Sequence, residues 1–351
     1  MISALRAAKP RPGRDAGLEY SPQARGDVAT ELARIFAEVL EVEEVAADDD
    51  FFRLGGDSLM AESLMAELER RLKVTLSVSA LVDAPTPRRL AARVAGRSAP
   101  RRGELPVALL RPGGRLPALF CVHGMSGTPV ASLHIAESLQ IPNAVYGLRA
   151  PGLEEGEQPM TTAASLAAHH LASIRAVQPT GPYWLLGHCG GSTIAYEMAR
   201  MLIEAGESVD RLILIDPSTD RKAPFLYRSG LRLAVKRAKW AGARWSLLRE
   251  IRAAGSPSAA ERRALVNRAM VISIARYRPK PVDCPTLLIH TPARREALCH
   301  PVRGYPPLLP RGEFVEVGVP HSDLFTGGLA SVCRACDAFL QPSAARVPAS
   351  A

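Results

Sequence analysis

The sequence predicts two folded units in series: a small all-α unit of four helices, then a larger α/β unit built on a mostly parallel sheet. Three observations predict this. The 351 residues exceed the roughly 100–200 typical of one domain, so one small and one large unit is the natural division. Apolar residues recur at helical spacing as far as Val94. Beyond a stretch rich in Arg, Pro and Gly, short apolar runs bounded by turn residues alternate with helical stretches, as in a sheet covered on both faces.

Residues 1–24 are rich in Pro, Gly and Arg without periodicity and read as a flexible leader. The first helix is expected over Asp27 to Leu40, where Val28, Leu32, Ile35, Phe36, Val39 and Leu40 share a face. An acidic loop around Asp48 to Asp50 leads into Phe51 to Ser58, and Leu59, Leu64, Leu68 and Leu72 continue a second helix starting at or near Ser58. A short segment at Leu76 to Leu81 and a last helix opened by Pro85-Thr86-Pro87 complete the unit, expected at 25–97. Residues 98–106 read as a linker. The second unit is expected at 107–342, with a tail at 343–351 and strands at Ala118 to Val122, Tyr183 to Leu186, Arg211 to Ile215 and Thr286 to Ile289.

Composition excludes several classes. With 47% hydrophobic and 23% charged residues the chain can bury sizeable cores, so disorder is confined to its ends. Its formal charge of +9 comes from arginines scattered through amphipathic segments, not massed with aromatics, which argues against a nucleic-acid partner. Met1 to Arg14 lacks the apolar core of a signal peptide, and no run of roughly 18 apolar residues suggests a membrane span, so a cytoplasmic protein with no membrane partner is expected. The six cysteines lack the regular spacing of a disulfide framework. Cys333 and Cys336 fall in a predicted amphipathic helix, Leu329 to Leu340, with no second ligand pair, so they read as core and no metal is expected.

Two sites carry chemistry. At the first, Gly55 and Gly56 permit a tight turn that leaves Ser58 exposed at a helix start, with Phe51, Phe52 and Leu54 anchoring the loop. Alone, a serine there would be only an N-cap. In context, Asp27 to about Val94 resembles the peptidyl carrier domains of nonribosomal peptide synthetases, and Leu54-Gly55-Gly56-Asp57-Ser58-Leu59 is similar to their modification motif. The resemblance implies 4′-phosphopantetheine covalently attached to Ser58, installed by a phosphopantetheinyl transferase.

At the second, Trp184-Leu185-Leu186-Gly187-His188-Cys189-Gly190-Gly191 runs from an apolar strand through a glycine-rich turn into a helix. This is a nucleophile elbow with cysteine in place of serine. Cys189 is the expected nucleophile, Asp216 at the end of the next strand the orienting acid, and His321 near the C-terminus the base, in the chain order of the α/β-hydrolases. The backbone N–H groups of Gly190 and Met125, the latter in His123-Gly124-Met125-Ser126-Gly127, are expected to form the oxyanion hole. His188, an elbow neighbour, should point away from the nucleophile, and no carboxylate follows His290 to replace Asp216. Cys121 and Cys284 read as small core residues.

From about Leu116 to Leu340 the chain resembles the type I thioesterase domains that end nonribosomal peptide and polyketide synthases. The resemblance rests on Ala118 to Gly127, Tyr146 to Gly152, the elbow, Leu214-Ile215-Asp216 and Pro320-His321-Ser322. It implies an α/β-hydrolase core with a helical lid at about 217–280, acting on an acyl or peptidyl thioester supplied by upstream synthetase modules or by trans-loading enzymes. Two positions depart from the family. Cys189 replaces the usual serine, and an acyl-cysteine stays nearly as activated as the incoming thioester, which favours cyclisation or amide or ester formation over plain hydrolysis. Gly124 stands where the family often has proline, which leaves the backbone donors in place. The expected activity is therefore release of a chain from Ser58 through Cys189; hydrolytic release or editing is the alternative, and a non-catalytic carrier or interaction protein the other. Cations spread over the lid, from Arg221 to Arg252, read as a solvated face, with docking of the carrier's Glu43, Glu44, Asp48 and Asp49 as the alternative.

Overall fold

The fold is that of a computed structural model, which describes residues 22–56, 58–74, 76, 78–95, 106–217, 231–253, 255, 257–301 and 304–341, with some side chains in these spans left out. The expected leader, most of the linker, the tail, and Arg221, Lys222 and Arg228 lie outside the described residues. Four helices come first: α1 (Pro22–Leu40), α2 (Ser58–Leu72), α3 (Val78–Asp83) and α4 (Pro87–Val94). α1 opens five residues before Asp27, inside the span expected to be leader, with Pro22 at the first helical position, where its missing N–H costs nothing. Thr86 caps α4 by accepting from the Arg89 N–H at 3.2 Å, an arrangement worth about 1 kcal/mol.

The apolar faces of these helices close on one cluster that includes Leu32, Ile35, Phe36, Leu64, Leu68, Leu81 and Leu90, all fully buried. Phe36, Phe51 and Phe52 extend it as an edge-to-face chain with centroids 5.3 Å apart at each step. Arg71 of α2 reaches both Glu67 and, across to α1, Glu38, tying the helix pair on its exposed side.

The second unit carries a seven-stranded sheet in the order β1-β3-β2-β4-β5-β6-β7. Its strands are β1 (Val107–Arg111), β2 (Arg115–Val122), β3 (Asn143–Leu148), β4 (Tyr183–His188), β5 (Val209–Ile215), β6 (Thr286–His290) and β7 (Gly312–Glu316). All pairings are parallel except that of β1 with β3. Side chains alternate between faces. Phe120, Val122, Leu185, Leu212, Leu214 and Leu288 face α6 (Ala163–Val177) and α7 (Gly190–Glu204). Leu119, Cys121, Leu186, Ile213, Ile215, Leu287 and Ile289 face α5 (Val130–Ser138) and α11 (Leu329–Leu340). Burial on both faces explains why the strands read as continuous apolar runs. Each fully buried Leu or Ile contributes about 1.5–3 kcal/mol relative to exposure.

The antiparallel edge strand β1 was not foreseen. Its Arg111 is the clasp: the guanidinium donates to the carbonyls of Ala136, Leu139, Ile141 and Asn143, satisfying the end of α5 and the turn into β3. Between β5 and β6 the chain forms the pair α8 (Leu231–Ala253) and α9 (Ala259–Arg276), with α9 opened by a capping box of Ser258 and Glu261. The short helix α10 (Arg295–Cys299) follows β6. None of the described helices is long and apolar enough to cross a membrane.

Strand order reverses between β2 and β4, so the loops leaving their C-terminal ends flank a crevice, where open parallel sheets bind ligands. α5, which starts just after the β2 loop, also meets the helical unit: Val130 is fully buried in the cluster of the four helices, and Leu133 packs against it. Thr128, Leu153, Ala259 and Arg263 line a narrow gap there with Leu76 and Val78. The described contact between the units is thus apolar, at α5 and the start of α9, rather than a meeting of the acidic loop with the cations of α8. Asp48 is engaged within its own unit by Arg88 at 2.8 Å, and Asp49 accepts from the Ala46 N–H at 2.8 Å.

Candidate active site and carrier site

At the end of β4 the backbone turns sharply into α7, leaving Cys189 in a left-handed conformation, φ 52° and ψ −120°. Strain of this kind costs of order 1–3 kcal/mol and persists only where the surroundings enforce it. Here they do. The Cys189 N–H donates to the Ile215 carbonyl at 2.8 Å. A Cβ on Gly187 would lie 2.5 Å from the Gly191 carbonyl oxygen, and one on Gly191 would lie 2.1 Å from that of His123. Strand, turn and helix approach so closely that both positions must be glycine.

Asp216 sits one strand over, at the end of β5, and is also left-handed, with φ 44°. It is fully buried, and its carboxylate is surrounded by donors: the Thr291 N–H at 2.9 Å and hydroxyl at 3.1 Å reach Oδ1, while His321 Nδ1 and Arg294 Nε reach Oδ2 at 2.6 and 3.2 Å. Arg294 Nη1 also donates to the carbonyls of Asp216 and Pro217 at 2.6 and 2.7 Å, clamping the strained backbone. Burial pushes the carboxyl upward, but the bonds from His321 and Thr291 and the charge of Arg294 outweigh it and hold Asp216 below its ordinary value.

The imidazole of His321, on the loop after β7, donates through Nδ1 to Asp216 Oδ2 at 2.6 Å and stands near enough to Cys189 for the two to interact electrostatically. The bond to Asp216 and then the interaction with Cys189 raise it to about 9. The thiol moves the other way. Burial raises it, yet the interaction with His321, the charge of Arg294, and the Gly190 N–H hold it below its ordinary value. The two shifts, one down and one up, favour a thiolate beside an imidazolium over the neutral pair.

The loop after β2 also reaches the elbow. Met125, in the loop after β2, lies against Gly190: a Cβ on Gly190 would meet Met125 Sδ at 2.4 Å. The Met125 carbonyl accepts from Asn267 Nδ2 of α9 at 3.3 Å. His188 is buried, packs edge-to-face on Phe325 at 5.0 Å and is lowered by burial to about 3, so it is neutral. Cys121, Cys284, Cys333 and Cys336 are all core residues. Sequence reasoning missed Thr291 and Arg294, which follow β6. Only the empty acid position after His290 hinted that this loop has another task.

At the carrier site, Ser58 is the first residue of α2, while its side chain and Asp57 lie outside the described residues. The preceding turn is built for close approach. Gly55 has φ +99°, and a Cβ on Gly56 would lie 2.3 Å from the Phe51 ring. Asp50 Oδ1 accepts from the Phe52 N–H at 2.9 Å and fixes the turn. A rigid turn ending at a helix N-terminus suits a hydroxyl that is to carry a phosphodiester.

Residues 30–94 match the family model described as the phosphopantetheine attachment site, and residues 117–235 match that of the thioesterase domain. The chain is a phosphopantetheine-attachment domain fused to a thioesterase domain. Such an attachment domain bears 4′-phosphopantetheine covalently. Among curated proteins the fusion is 33% identical over 197 residues to indigoidine synthase of Streptomyces lavendulae, a match covering 56% of this chain and 15% of that one. It is 39% identical over 186 residues to the dimodular nonribosomal peptide synthase of Bacillus subtilis, covering 53% of this chain and 8% of the relative. The carrier–thioesterase chain thus spans a small fraction of the length of these relatives. Among solved structures, the four-domain nonribosomal peptide synthetase AB3403 superposes with a TM-score of 0.57 at 24% identity, over 97% of this chain and 28% of that one, a likeness of fold.

Proposed function

We propose that this chain works in nonribosomal peptide, or hybrid polyketide, biosynthesis, moving an acyl or peptidyl chain from Ser58-bound phosphopantetheine to Cys189 and releasing it to a nucleophile. The observation that carries this reading is the 2.6 Å bond between His321 and Asp216 beside the strained elbow at Cys189, whose thiol His321 influences. It is supported by the attachment domain that precedes the thioesterase domain and by the similarity to synthetase relatives.

The phosphopantetheine, when present, supplies the acyl chain as a thioester on a flexible arm. The Cys189 thiolate attacks the thioester carbonyl, and the N–H groups of Gly190 and Met125 receive the developing oxyanion. As the carbon–sulfur bond to the carrier breaks, His321 Nε2 protonates the departing thiol, and Asp216 holds the ring through Nδ1. A second nucleophile then gives its proton to His321 and attacks the acyl-cysteine, and Cys189 leaves as thiolate. Because a thioester is exchanged for a thioester, little driving force is lost before release, which suits amide formation or closure of a strained ring. His321 keeps 40% of its side chain exposed, so water can also reach it, and hydrolytic release is the second reading.

In this reading the four helices are the carrier domain, and α8 and α9 form the lid over the crevice. The carrier is loaded by a phosphopantetheinyl transferase and receives its chain from synthetase modules or trans-acting enzymes. The contact of Val130 and Leu133 with the carrier core offers delivery within one chain. The test is intact-protein mass spectrometry of holo protein loaded with an acyl-pantetheine, beside S58A and C189A. Wild type is expected to form an acyl adduct on Cys189 as well as on the carrier arm, C189A an adduct on the carrier arm alone, and S58A neither. Equal release with and without Cys189 would reduce the protein to a carrier.

A further inference from the structure

Beneath the loop after β2 lies a group of buried histidines that the proposed reaction does not use. His123 and His170 are fully buried, and their Nε2 atoms are 3.2 Å apart. His123 Nδ1 lies 2.8 Å from the Gly124 carbonyl oxygen. A carbonyl can only accept, so Nδ1 must carry the proton of His123. In a neutral imidazole that leaves Nε2 as the acceptor, so the bond between the rings runs from His170 Nε2–H to His123 Nε2. His170 Nδ1 is then a bare lone pair, consistent with its having no partner. Burial favours the neutral rings that this pattern needs: it lowers His123 to about 4 and His170 well below its ordinary range.

The chain of donors ends on a peptide plane that matters. The Gly124 carbonyl and the Met125 N–H belong to the same planar amide, so fixing the direction of one fixes the other on the opposite side. That carbonyl takes a second bond, from the Gly127 N–H at 3.2 Å. Glycine at 124 leaves the backbone freer than any other residue would. Nothing larger fits, since a Cβ there would lie 2.4 Å from His188 Nε2. Restraint that a side chain at 124 cannot give must come from the groups bonded to the peptide. His170, anchored midway along α6, supplies it through His123.

We propose that His170 is a positioning residue for the oxyanion hole: by donating to His123 it holds the peptide between Gly124 and Met125 with the Met125 N–H aimed at the crevice. The inference rests on Met125 being an oxyanion donor, and the experiment separates the two ideas. Full-length H170F, H170Q and M125P are compared with wild type on a soluble acyl N-acetylcysteamine thioester and against an acyl aldehyde, whose adduct with Cys189 mimics the tetrahedral oxyanion. H170F is expected to lower kcat roughly tenfold to a hundredfold, less than outright removal of a donor, with KM little changed and aldehyde affinity reduced in parallel. H170Q, whose amide N–H can donate to His123, should recover most of the loss. M125P, lacking the N–H, should lose more than H170F. If M125P keeps full kcat, the oxyanion reading fails and the proposal with it. If M125P is impaired while H170F is not, or if H170Q falls as far as H170F, only the positioning role is overturned. Histidine ring ¹⁵N spectra of the unmodified protein decide even if a variant does not fold: Nδ1–H on His123 with Nε2–H on His170 is expected, and the reverse tautomers would overturn the proposal.

Discussion

Cys189 and Cys336 are the same residue type in one domain, yet their surroundings give them opposite chemistry. Cys336 is wholly enclosed in the layer between α11 and the sheet, and burial, then the nearby Cys333 and Asp337, push its thiol well above the ordinary value. Cys121, below the same layer, is raised to about 12. Cys189 is also largely enclosed, but a histidine, an arginine and an amide N–H converge on it, and its thiol moves down. Burial alone keeps a cysteine a neutral thiol; donors and cations around a buried cysteine favour its thiolate.

The sharpest way to break this comparison is to remove what orients the imidazole. Asp216→Asn preserves the shape of the site while its amide can present N–H to His321 and impose the wrong tautomer, so kcat should fall by about 10⁴, with the fold intact by circular dichroism. Activity near wild type would mean that His321 does not need Asp216. A smaller effect is expected in thiol reactivity. At pH 7 iodoacetamide should label Cys189 at least ~10-fold faster than the buried cysteines, read by peptide mass spectrometry. The pH dependence follows from the two shifts. Cys189 is lowered, so its thiolate persists as pH falls through the range where an ordinary thiol is already protonated. His321 is raised to about 9, so the imidazolium partner is lost only as pH rises through that value. His321→Ala should therefore slow labelling at pH 7 and move its onset to higher pH. The smallest effect belongs to the contrasting residue: Cys336→Ala should cost about 1 kcal/mol of stability in urea unfolding and leave kcat unchanged. A loss of kcat there would show that the inert cysteines are coupled to the site.

Much of this was legible in advance because it is local. Helical spacing located α2, and α11 runs over Leu329–Leu340 as its apolar spacing predicts. The glycines around Cys189 announced a turn too tight for side chains, and Cys189, Asp216 and His321 follow β4, β5 and β7 in turn. β1 escaped notice although Val107 to Leu110 form a continuous apolar run; only the assembled sheet shows that run as a partly exposed, antiparallel edge. Arg294, Thr291 and the pairing of His170 with His123 escaped because nothing near them in sequence marks their partners. Arg294 meets Asp216 across 78 positions, and the two histidines meet across 47.

The sequence by itself marked β2, β4, β5 and β6 and helices such as α2 and α11, where the chain turns too sharply for any residue but glycine, and which groups could serve as nucleophile, acid and base. These depend on periodicity and on covalent limits acting over a few residues. The tertiary structure alone decided the ionisation of those groups, the clamp on Asp216 and the tautomers beneath the oxyanion loop. Each of these is set by distance and burial among residues from separate strands and helices, and such terms exist only once the sheet has assembled.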